Sequence, residues 1–519
     1  MKITSVTVLT LAVYLATVAA QQYKYTDQFG LAGRYDSFSR QKNPYAYIVR
    51  TAKPRPSSTL STRFTVGSRL GEANPENVMP PKNGVSDVRS RLREGGPRNV
   101  MLSKNDQQLA RAVVDLALNI GRSFSEQTSN VEVFSPVSIM GIINLLLLGA
   151  EGLTRTELLN VLQLDRNMKP KAFHSRAAGM LNNLLSSNPL ELDNLAWKAG
   201  SCGEDEYSDE ETSPQTTPKG TKDLRLANAI FAQTTLPLND KTVSLARQLY
   251  DVNTQKVNFR DSLAASGIIN KWVAQATNNK IREIASGGFP RDTNMVLVSS
   301  LYFKATWMTE FTAQSTKPRP FYPDGTDRPS FKIDTMSLSA CLPYHFERDI
   351  GLRVVGLPYS DNATTMYVLM PQNSTRTKLR SLQEQLTADR LDSILLKMQL
   401  RSTTINFPRM QLESNTDLEK AFRRLGVKSI FSPQQSNLRL MLNQSDAQGK
   451  LPLYVSQIKH KVNLSVDERG TEGAAVTMTL IDRAGAQVYF NANQPFLIYV
   501  RHDPTRLPLF YGTVFDPRN

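Results

Sequence analysis

Apolar residues recur at helical spacing where the patterned part of the chain begins, near Ser103. They fall three or four positions apart and so line one face of a predicted helix. These residues are Leu109, Val113, Leu116, Ile120 and Phe124. Residues 144–149 continue a second, largely apolar helix, and residues 263–284 carry a mostly helical pattern. Thr154 and Glu157 stand at capping-box spacing, which predicts a helix capped by Thr154.

Strand patterns dominate the second half of the chain. Short apolar or alternating runs bounded by turn residues predict strands. The predicted strands are 224–231, 295–304, 352–358, 364–370, 404–408, 453–466, 486–490, 496–501 and 508–514. Because helices come first and strands come later, the pattern predicts a mixed α+β domain.

Two segments lack a periodic pattern. Residues 21–104 are rich in Pro, Ser, Arg and Asn, and positions 21–100 hold 14 Lys or Arg against 6 Asp or Glu. This composition predicts a flexible basic extension. Residues 200–223 include six acids and no base between 204 and 211, which predicts a solvent-exposed insertion in a domain that spans 105–519. The excess of basic residues gives the 519-residue chain a net charge of +15.

The first twenty residues have the organisation of a secretion signal. Lys2 supplies a positive start, residues 6–18 are largely apolar, and small residues end the segment at Ala20. We therefore expect residues 1–20 to be removed and the mature protein to be secreted and extracellular. No other run approaches 18 apolar residues, so we expect no membrane span. The two cysteines, Cys202 and Cys341, could pair in an oxidising compartment, but the sequence leaves their pairing open.

Catalytic and cofactor signatures are absent from the sequence. It contains no G-x-G-x-x-G, Walker A, G-x-S-x-G or H-E-x-x-H motif. The four histidines, His174, His345, His460 and His502, lack the spacing of metal ligands. Basic residues do not alternate with aromatic residues on one predicted face, as nucleic-acid binding would require. We expect a protein that is not an enzyme, with no cofactor, no metal and no nucleic-acid partner.

Residues 467–495 combine two properties that rarely occur together. Every second position from 471 to 481 is small or apolar, so this stretch could enter a sheet as a strand. These positions are Thr471, Gly473, Ala475, Thr477, Thr479 and Ile481. The stretch then ends in the exposed-type sequence Asp482-Arg483-Ala484-Gly485, which suits a protease. The segment could therefore be a target for a protease and could also enter a sheet as a strand. The two properties together suggest a mechanism that uses both.

From about Asn105 to Asn519 the chain resembles the serpin family. Several motifs occur in the family's order, and their joint order is far more specific than any one of them. They include Ser135-Pro136-Val137-Ser138-Ile139, Leu226-Ala227-Asn228-Ala229-Ile230-Phe231, Leu301-Tyr302-Phe303-Lys304-Ala305-Thr306-Trp307, Leu357-Pro358-Tyr359, the hinge Glu468-Arg469-Gly470-Thr471-Glu472 and Phe490-Asn491-Ala492-Asn493-Gln494-Pro495-Phe496. The long extension is similar to those of secreted arthropod members.

The resemblance implies a serpin fold, with a five-stranded central β-sheet, surrounding helices and an exposed reactive loop. A serine protease cleaves such a loop, and the freed segment inserts into the central sheet while the protease is still attached. Seven positions match the family's hinge: Glu468, Gly470, Thr471, Glu472, Gly473, Ala474 and Ala475. Five positions match the residues that control sheet opening: Ser135, Ser138, Asn228, Trp307 and His460.

The scissile bond has two candidates. Counting from Glu468 at the family's usual spacing gives Ala484 as the residue before the cut, which suits an elastase-like enzyme. One residue earlier lies Arg483, which suits the acidic pocket of a trypsin-like enzyme. Because Arg483 is the one cation between Arg469 and Arg501, we favour the bond between Arg483 and Ala484.

The resemblance predicts a secreted suicide-substrate inhibitor of a trypsin-like serine protease, acting as a monomer in an extracellular cascade such as melanisation. The alternative is a non-inhibitory carrier, storage or binding protein. Lys169, Lys171 and Arg176 form a thin basic stripe that could bind a polyanion such as heparin, although an ordinary solvated face explains it better. Asn-x-Ser/Thr sequences predict glycosylation at Asn362, Asn373 and Asn443, whereas Asn463 lies in a predicted central strand.

Overall fold

The computed structural model describes residues 102–124, 129–164, 169–186, 195–202, 222–443, 453–471 and 488–518. The predicted signal lies outside the described residues, and so does the predicted extension apart from its last three positions. The first helix begins at the end of that extension. Ser103 Oγ accepts a hydrogen bond from the Asp106 backbone amide at 3.2 Å, which caps the helix.

Nine α-helices lie within the described residues. They are α1 (Lys104–Ser123), α2 (Pro136–Gly149), α3 (Gly152–Val161), α4 (Pro170–Leu185), α5 (Asp240–Tyr250), α6 (Ser262–Ala276), α7 (Arg376–Gln385), α8 (Ala388–Lys397) and α9 (Leu418–Arg424). The predicted apolar face of α1 is confirmed, since all five of its predicted residues are buried. Helix α2 is apolar on every side, and it is correspondingly buried on every side.

Fifteen strands form two sheets in the same part of the chain. They are β1 (Val131–Phe134), β2 (Asp223–Gln233), β3 (Asn253–Val257), β4 (Met295–Thr306), β5 (Lys317–Phe321), β6 (Phe331–Glu347), β7 (Leu352–Pro358), β8 (Thr364–Pro371), β9 (Gln399–Pro408), β10 (Met410–Asp417), β11 (Gln457–Val466), β12 (Gly470–Thr471), β13 (Val488–Asn491), β14 (Phe496–His502) and β15 (Leu507–Val514). The predicted α+β class is confirmed.

The central sheet has the strand order β10-β11-β4-β2-β3, and the short strand β12 pairs with β4 as a sixth member. Its middle strands β11 and β4 are parallel and pair directly, from Gln457 opposite Val296 to Val462 opposite Leu301. The five-stranded sheet implied by the resemblance is therefore present, with its two middle strands closed against each other.

The second sheet is larger and has the order β1-β15-β14-β8-β7-β6-β9-β13, with β5 paired to β6. Strands β14 and β15 are buried along their whole length, as their almost continuous apolar sequence requires. The last strand in the order, β13, pairs with β9 and forms one edge of the sheet among the described residues. This edge is where the chain returns from residues 472–487, which lie outside the described residues.

A disulfide links the start of the acidic insertion to the larger sheet. Cys202 follows a 3₁₀ turn at Ala196–Ala199, and its sulfur bonds that of Cys341 on β6, with the two Cα atoms 5.8 Å apart. The structure thus settles the pairing that the sequence left open. The acids at 204–211 lie outside the described residues. None of the helices in the described ranges is long and apolar enough to cross a membrane.

One predicted element start is wrong. Helix α3 begins at Gly152, so Thr154 lies within the helix and does not cap it. The buried Thr154 Oγ1 instead lies 2.9 Å from Ser429 Oγ and accepts a hydrogen bond from the Asn437 amide at 3.0 Å. Glu157 likewise turns to the same segment, where its carboxylate accepts from Ser429 Oγ at 2.7 Å. Thr154 and Glu157, which local spacing assigned to a helix cap, therefore bond residues that are distant in sequence.

Candidate functional site

Residues 467–495, which match the reactive loop of the family, are called the reactive segment. This segment leaves the central sheet through a tight turn at Asp467. The Asp467 amide donates to the Gly470 carbonyl at 3.0 Å, and its carboxylate accepts from the amides of Arg469 and Gly470 at 2.9 and 3.2 Å. An aspartate that bonds amides two and three residues ahead is a strong turn former. The turn reverses the chain at the end of β11 and directs it back toward β4.

Only glycine fits at position 470. Its φ of +145° lies in the region that side chains disfavour. A Cβ atom there would come within 2.2 Å of the Ala305 carbonyl oxygen and 2.7 Å of Thr306 Cα. The missing side chain therefore allows the hinge to lie directly against the backbone of β4.

Past this glycine the hinge already occupies the upper end of the seam between β11 and β4. Strand β11 pairs with β4 only as far as Leu301, whereas Gly470 and Thr471 pair antiparallel with Thr306 and Ala305. Thr471 is 1% exposed, and its Oγ1 lies 2.9 Å from the hydroxyl of Tyr359. Two residues of the reactive segment thus form the first rung of an additional strand.

The insertion point is the upper end of the seam, where Gly470 and Thr471 pair with β4. Trp307 and Tyr359 line it with aromatic rings. Their rings stack at a centroid distance of 4.4 Å, and Phe303 packs edge-on against Tyr359 at 5.0 Å. The Trp307 indole N–H donates to the Asp467 carbonyl at 3.0 Å, and its backbone amide donates to the Arg469 carbonyl at 2.9 Å. Burial raises the pKa of Tyr359, so its hydroxyl stays protonated and able to bond Thr471.

Glu468 makes polar contacts on the outer side of the same turn. Its carboxylate accepts from Thr316 Oγ1 at 2.7 Å and lies 3.7 Å from the Arg409 guanidinium. Its backbone carbonyl accepts from the Phe311 amide at 2.8 Å. Since Thr316 and Arg409 lie outside β4 and β11, these contacts tie the hinge to residues beyond the two strands of the seam.

A second group of predicted residues lies lower in the same seam, under helix α2. The Ser135 amide donates to His460 Nε2 at 3.0 Å, and Ser135 Oγ accepts from the Ser138 amide at 3.3 Å. In the sheet, Ser299 pairs with Asn228 on one side and with His460 on the other. The structure therefore brings four of the five predicted opening residues together, and Trp307 stands apart at the top of the sheet.

This lower cluster is buried but incompletely hydrogen-bonded. The side-chain amide of Asn228 and the hydroxyls of Ser138 and Ser299 make no hydrogen bond within the described part of the chain. A buried polar group without a partner costs roughly 1–3 kcal/mol. Burial also lowers the pKa of His460 to about 4, which keeps the ring neutral so that Nε2 can accept. The closed seam thus holds a neutral histidine and several buried polar side chains beneath helix α2.

The remaining site predictions fall partly outside the described residues. Glu472, Gly473, Ala474, Ala475, Arg483 and Ala484 all lie in the range 472–487. Asn362 and Asn373 are exposed and have left-handed backbone conformations, with φ of 59° and 50°. Asn443 is also exposed, whereas Asn463 lies in β11. Glycosylation at the first three stays a prediction.

The basic stripe proposed for heparin is shorter than the sequence suggested. Lys169 and Lys171 are exposed at the start of α4. Arg176, however, lies 3.4 Å from the Asp106 carboxylate and 3.2 Å from Ser103 Oγ, so it joins α4 to the start of α1. Within the described ranges, no group of three or more His, Cys, Asp or Glu side chains could hold a metal ion.

Tyr359 and Asp467 are the site residues that sequence reasoning missed. Tyr359 ended a recognised motif, but its role depends on contacts with side chains that lie 52 and 112 positions away. Asp467 precedes the recognised hinge by one residue. A turn pattern of Asp followed by Gly three positions later could have identified it.

Replacing Tyr359 by phenylalanine is expected to loosen the hinge without removing the aromatic stack. The hydroxyl bond to Thr471 contributes roughly 1 kcal/mol, which corresponds to a five- to tenfold change in an opening equilibrium. Hydrogen exchange in peptides covering 467–471 should accelerate by that factor. Thr471→Val should give a similar increase, and the double variant should add little, because both changes remove one bond. Independent, additive effects would contradict this assignment.

The chain matches known proteins over the same region that carries this site. The family described as Serpin (serine protease inhibitor) matches residues 111–517. "Serine protease inhibitor 28Dc" of Drosophila melanogaster is 32% identical over 442 residues, which cover 79% of this chain and 80% of that protein. "Serpin A3-6" of Bos taurus is 30% identical over 412 residues, which cover 79% and 88%.

A solved structure shows the same fold. Human thyroxine-binding globulin superposes with a TM-score of 0.67 at 20% identity, over 79% of this chain and 99% of that one. The match of the family over residues 111–517 includes the seam, the Asp467 turn and the insertion point at Trp307 and Tyr359. This chain belongs to the serpin family.

Proposed function

We propose that this protein is a secreted inhibitor of a trypsin-like serine protease, which it traps after cleavage between Arg483 and Ala484. The protease serine forms an acyl-enzyme with the Arg483 carbonyl. The freed segment then extends the strand that Gly470 and Thr471 have begun between β4 and β11. The inhibitor supplies no catalytic residue, and the proposed setting is an extracellular cascade such as melanisation.

The observation that carries the proposal is the hinge lodged at the upper end of a closed seam. Thr471 is buried and paired with β4, so insertion needs extension of an existing rung and no new nucleation step. Every further residue that enters can pair its backbone with both neighbouring strands. The small, uncharged residues at alternate positions from 471 to 481 suit burial on the core side.

Secretion is supported by two separate features of the chain. The first twenty residues have the pattern of a cleaved signal, and Cys202 forms a disulfide with Cys341. Disulfides persist in oxidising compartments and are rare in the cytosol. The choice of a trypsin-like protease depends on Arg483, because its guanidinium complements a carboxylate at the base of the specificity pocket.

Incubation with trypsin and with elastase, followed by denaturing electrophoresis, tests the proposal. We expect an SDS-stable complex with trypsin, and a released fragment whose first residue is Ala484. A fragment that begins at Gly485, obtained only with elastase, would instead assign cleavage to Ala484. Cleavage by either enzyme without any complex would overturn the inhibitory function in favour of a carrier or binding protein.

A further inference from the structure

An uncharged polar face lies beside the point where the reactive segment rejoins the larger sheet. Side chains at alternate positions of β6 from 337 to 341, of β9 from 402 to 406 and of β13 from 489 to 491 project from this face, and none of them carries a charge. They are Ser337, Ser339, Cys341, Ser402, Thr404, Asn406, Tyr489 and Asn491. Residues on the opposite side of the same strands, such as Ile405, Phe407 and Phe490, are buried. We call the uncharged side the β13 face.

Hydrogen bonds within the β13 face hold its side chains in place. Ser339 Oγ lies 2.8 Å from Thr404 Oγ1, and Ser337 Oγ donates to Asn406 Oδ1 at 2.9 Å. Asn406 in turn donates its amide to Asn491. The Cys202–Cys341 disulfide borders the face on β6. A surface that is ordered before binding loses little side-chain entropy when a partner covers it.

Tyr489 is the one aromatic side chain of this face. It is 64% exposed and stands opposite Thr404 in the ladder between β13 and β9. An exposed tyrosine provides a large apolar ring with few rotatable bonds, and such residues are enriched in protein interfaces, whose centres are depleted of charge. The β13 face combines both properties.

The position of the reactive bond identifies the partner that can reach this face. Only three residues separate Ala484 from Val488, the first residue of β13, and this step of four positions spans at most about 14 Å. A protease domain of about 230 residues has a radius of gyration of roughly 17 Å. An enzyme whose active site holds Arg483 and Ala484 must therefore extend over neighbouring surface at the β13 edge.

We propose that the β13 face, centred on Tyr489, is a secondary docking surface for the attacking protease. This inference rests on the proposed function, and it adds a contact beyond the cleaved bond that sets the rate of the encounter. The contact acts before cleavage. It therefore changes the association rate, and it leaves unchanged the fraction of cleaved inhibitor that traps its enzyme.

The test compares Tyr489→Ala with Leu263→Ala, which truncates another exposed apolar side chain, 79% exposed at the start of α6. Trypsin is the probe, and two quantities are measured: the association rate constant and the number of inhibitor molecules consumed per enzyme. We expect Tyr489→Ala to associate five- to tenfold more slowly with unchanged stoichiometry. Leu263→Ala and Tyr489→Phe should stay within twofold of the parent protein.

Each other outcome overturns the inference in a recognisable way. A rate within twofold for Tyr489→Ala removes the docking role while leaving inhibition intact. A higher consumption of inhibitor would place Tyr489 in the insertion step. Dimers of the parent protein that Tyr489→Ala abolishes, detected by light scattering, would make the β13 face a self-association surface, since β13 is an edge strand. Absence of any complex with the parent protein would refute the proposed function itself, and the inference with it.

Discussion

Thr471→Arg is expected to convert the inhibitor into an ordinary protease substrate. Thr471 is 1% exposed and faces Tyr359, so an arginine there must either bury an unpaired charge or leave the seam. Burying the charge costs several kcal/mol, because the stacked rings of Trp307 and Tyr359 offer it no carboxylate. The freed segment would then insert too slowly to trap the acyl-enzyme. Titration of trypsin should show at least a tenfold increase in the inhibitor consumed per enzyme.

The matched control is Thr471→Ser, which keeps the hydroxyl that bonds Tyr359 and should inhibit with nearly the parent stoichiometry. The rate at which Thr471→Arg is cleaved should also stay close to the parent rate, because the altered residue lies twelve positions before Arg483. If Thr471→Arg formed SDS-stable complexes as efficiently as the parent protein, insertion at this point would not be the trapping step.

Acidification from pH 7 to pH 5 is expected to destabilise the protein by roughly 2 kcal/mol for each of two buried histidines. Burial lowers the pKa of His460 and of His174 to about 4, below the ordinary value of 6.5. The folded state thus disfavours the charged ring. The contribution of each neutral histidine to the free energy of unfolding is fully present above pH 6.5, and it is lost as the pH falls toward 4. His502, also buried, acts in the same direction. Asp115 and Glu310, whose pKa values burial raises, oppose this trend.

Guanidinium unfolding midpoints at pH 8, 7, 6 and 5 measure this effect. His460→Asn serves as the control, because an amide can still accept from the Ser135 backbone but does not titrate in this range. Its stability should depend less steeply on pH than that of the parent protein. Equal midpoints at pH 8 and pH 5 would show that these histidines are not held neutral by the fold.

The sequence predicted elements well where local pattern and tertiary environment agree. The predicted strands at 295–304, 352–358 and 364–370 are confirmed as β4, β7 and β8, because buried strands in a layered core need continuous apolar runs. Residues 263–284 were predicted as mostly helical, but α6 ends at Ala276. Asn278 and Asn279 adopt left-handed conformations that stop it.

Strands that depend on their neighbours were missed. β6 spans 17 residues and includes Asp334 and Pro343, which lower its strand propensity, yet it pairs with β9 over ten positions. β10 has the polar sequence MQLESNTD and forms through eight pairs with β11. The predicted strand at 453–466 also starts late, at Gln457. Tertiary pairing outweighs local preference in each of these cases.

The residues of the functional site were also predicted only where a local motif identifies them. Motif resemblance identified Trp307, His460, Gly470 and Thr471 as site residues, and the structure brings Trp307, Gly470 and Thr471 into one insertion point. It could not identify Tyr359, whose hydroxyl bonds Thr471 across 112 positions of sequence. Nor could spacing show that the hinge is already lodged in the seam, because that depends on where β11 stops pairing with β4.

The central claim is that residues after Thr471 insert between β4 and β11 once the reactive segment is cut. A metalloprotease forms no acyl-enzyme, so it can nick residues 472–487 without being trapped. Insertion would add a full ladder of backbone hydrogen bonds on both sides of the new strand. We predict that the nicked protein unfolds at a clearly higher guanidinium concentration than the intact protein, and that nicked Thr471→Arg shows no such increase. A nicked parent protein that unfolds at the same or a lower concentration would contradict the account.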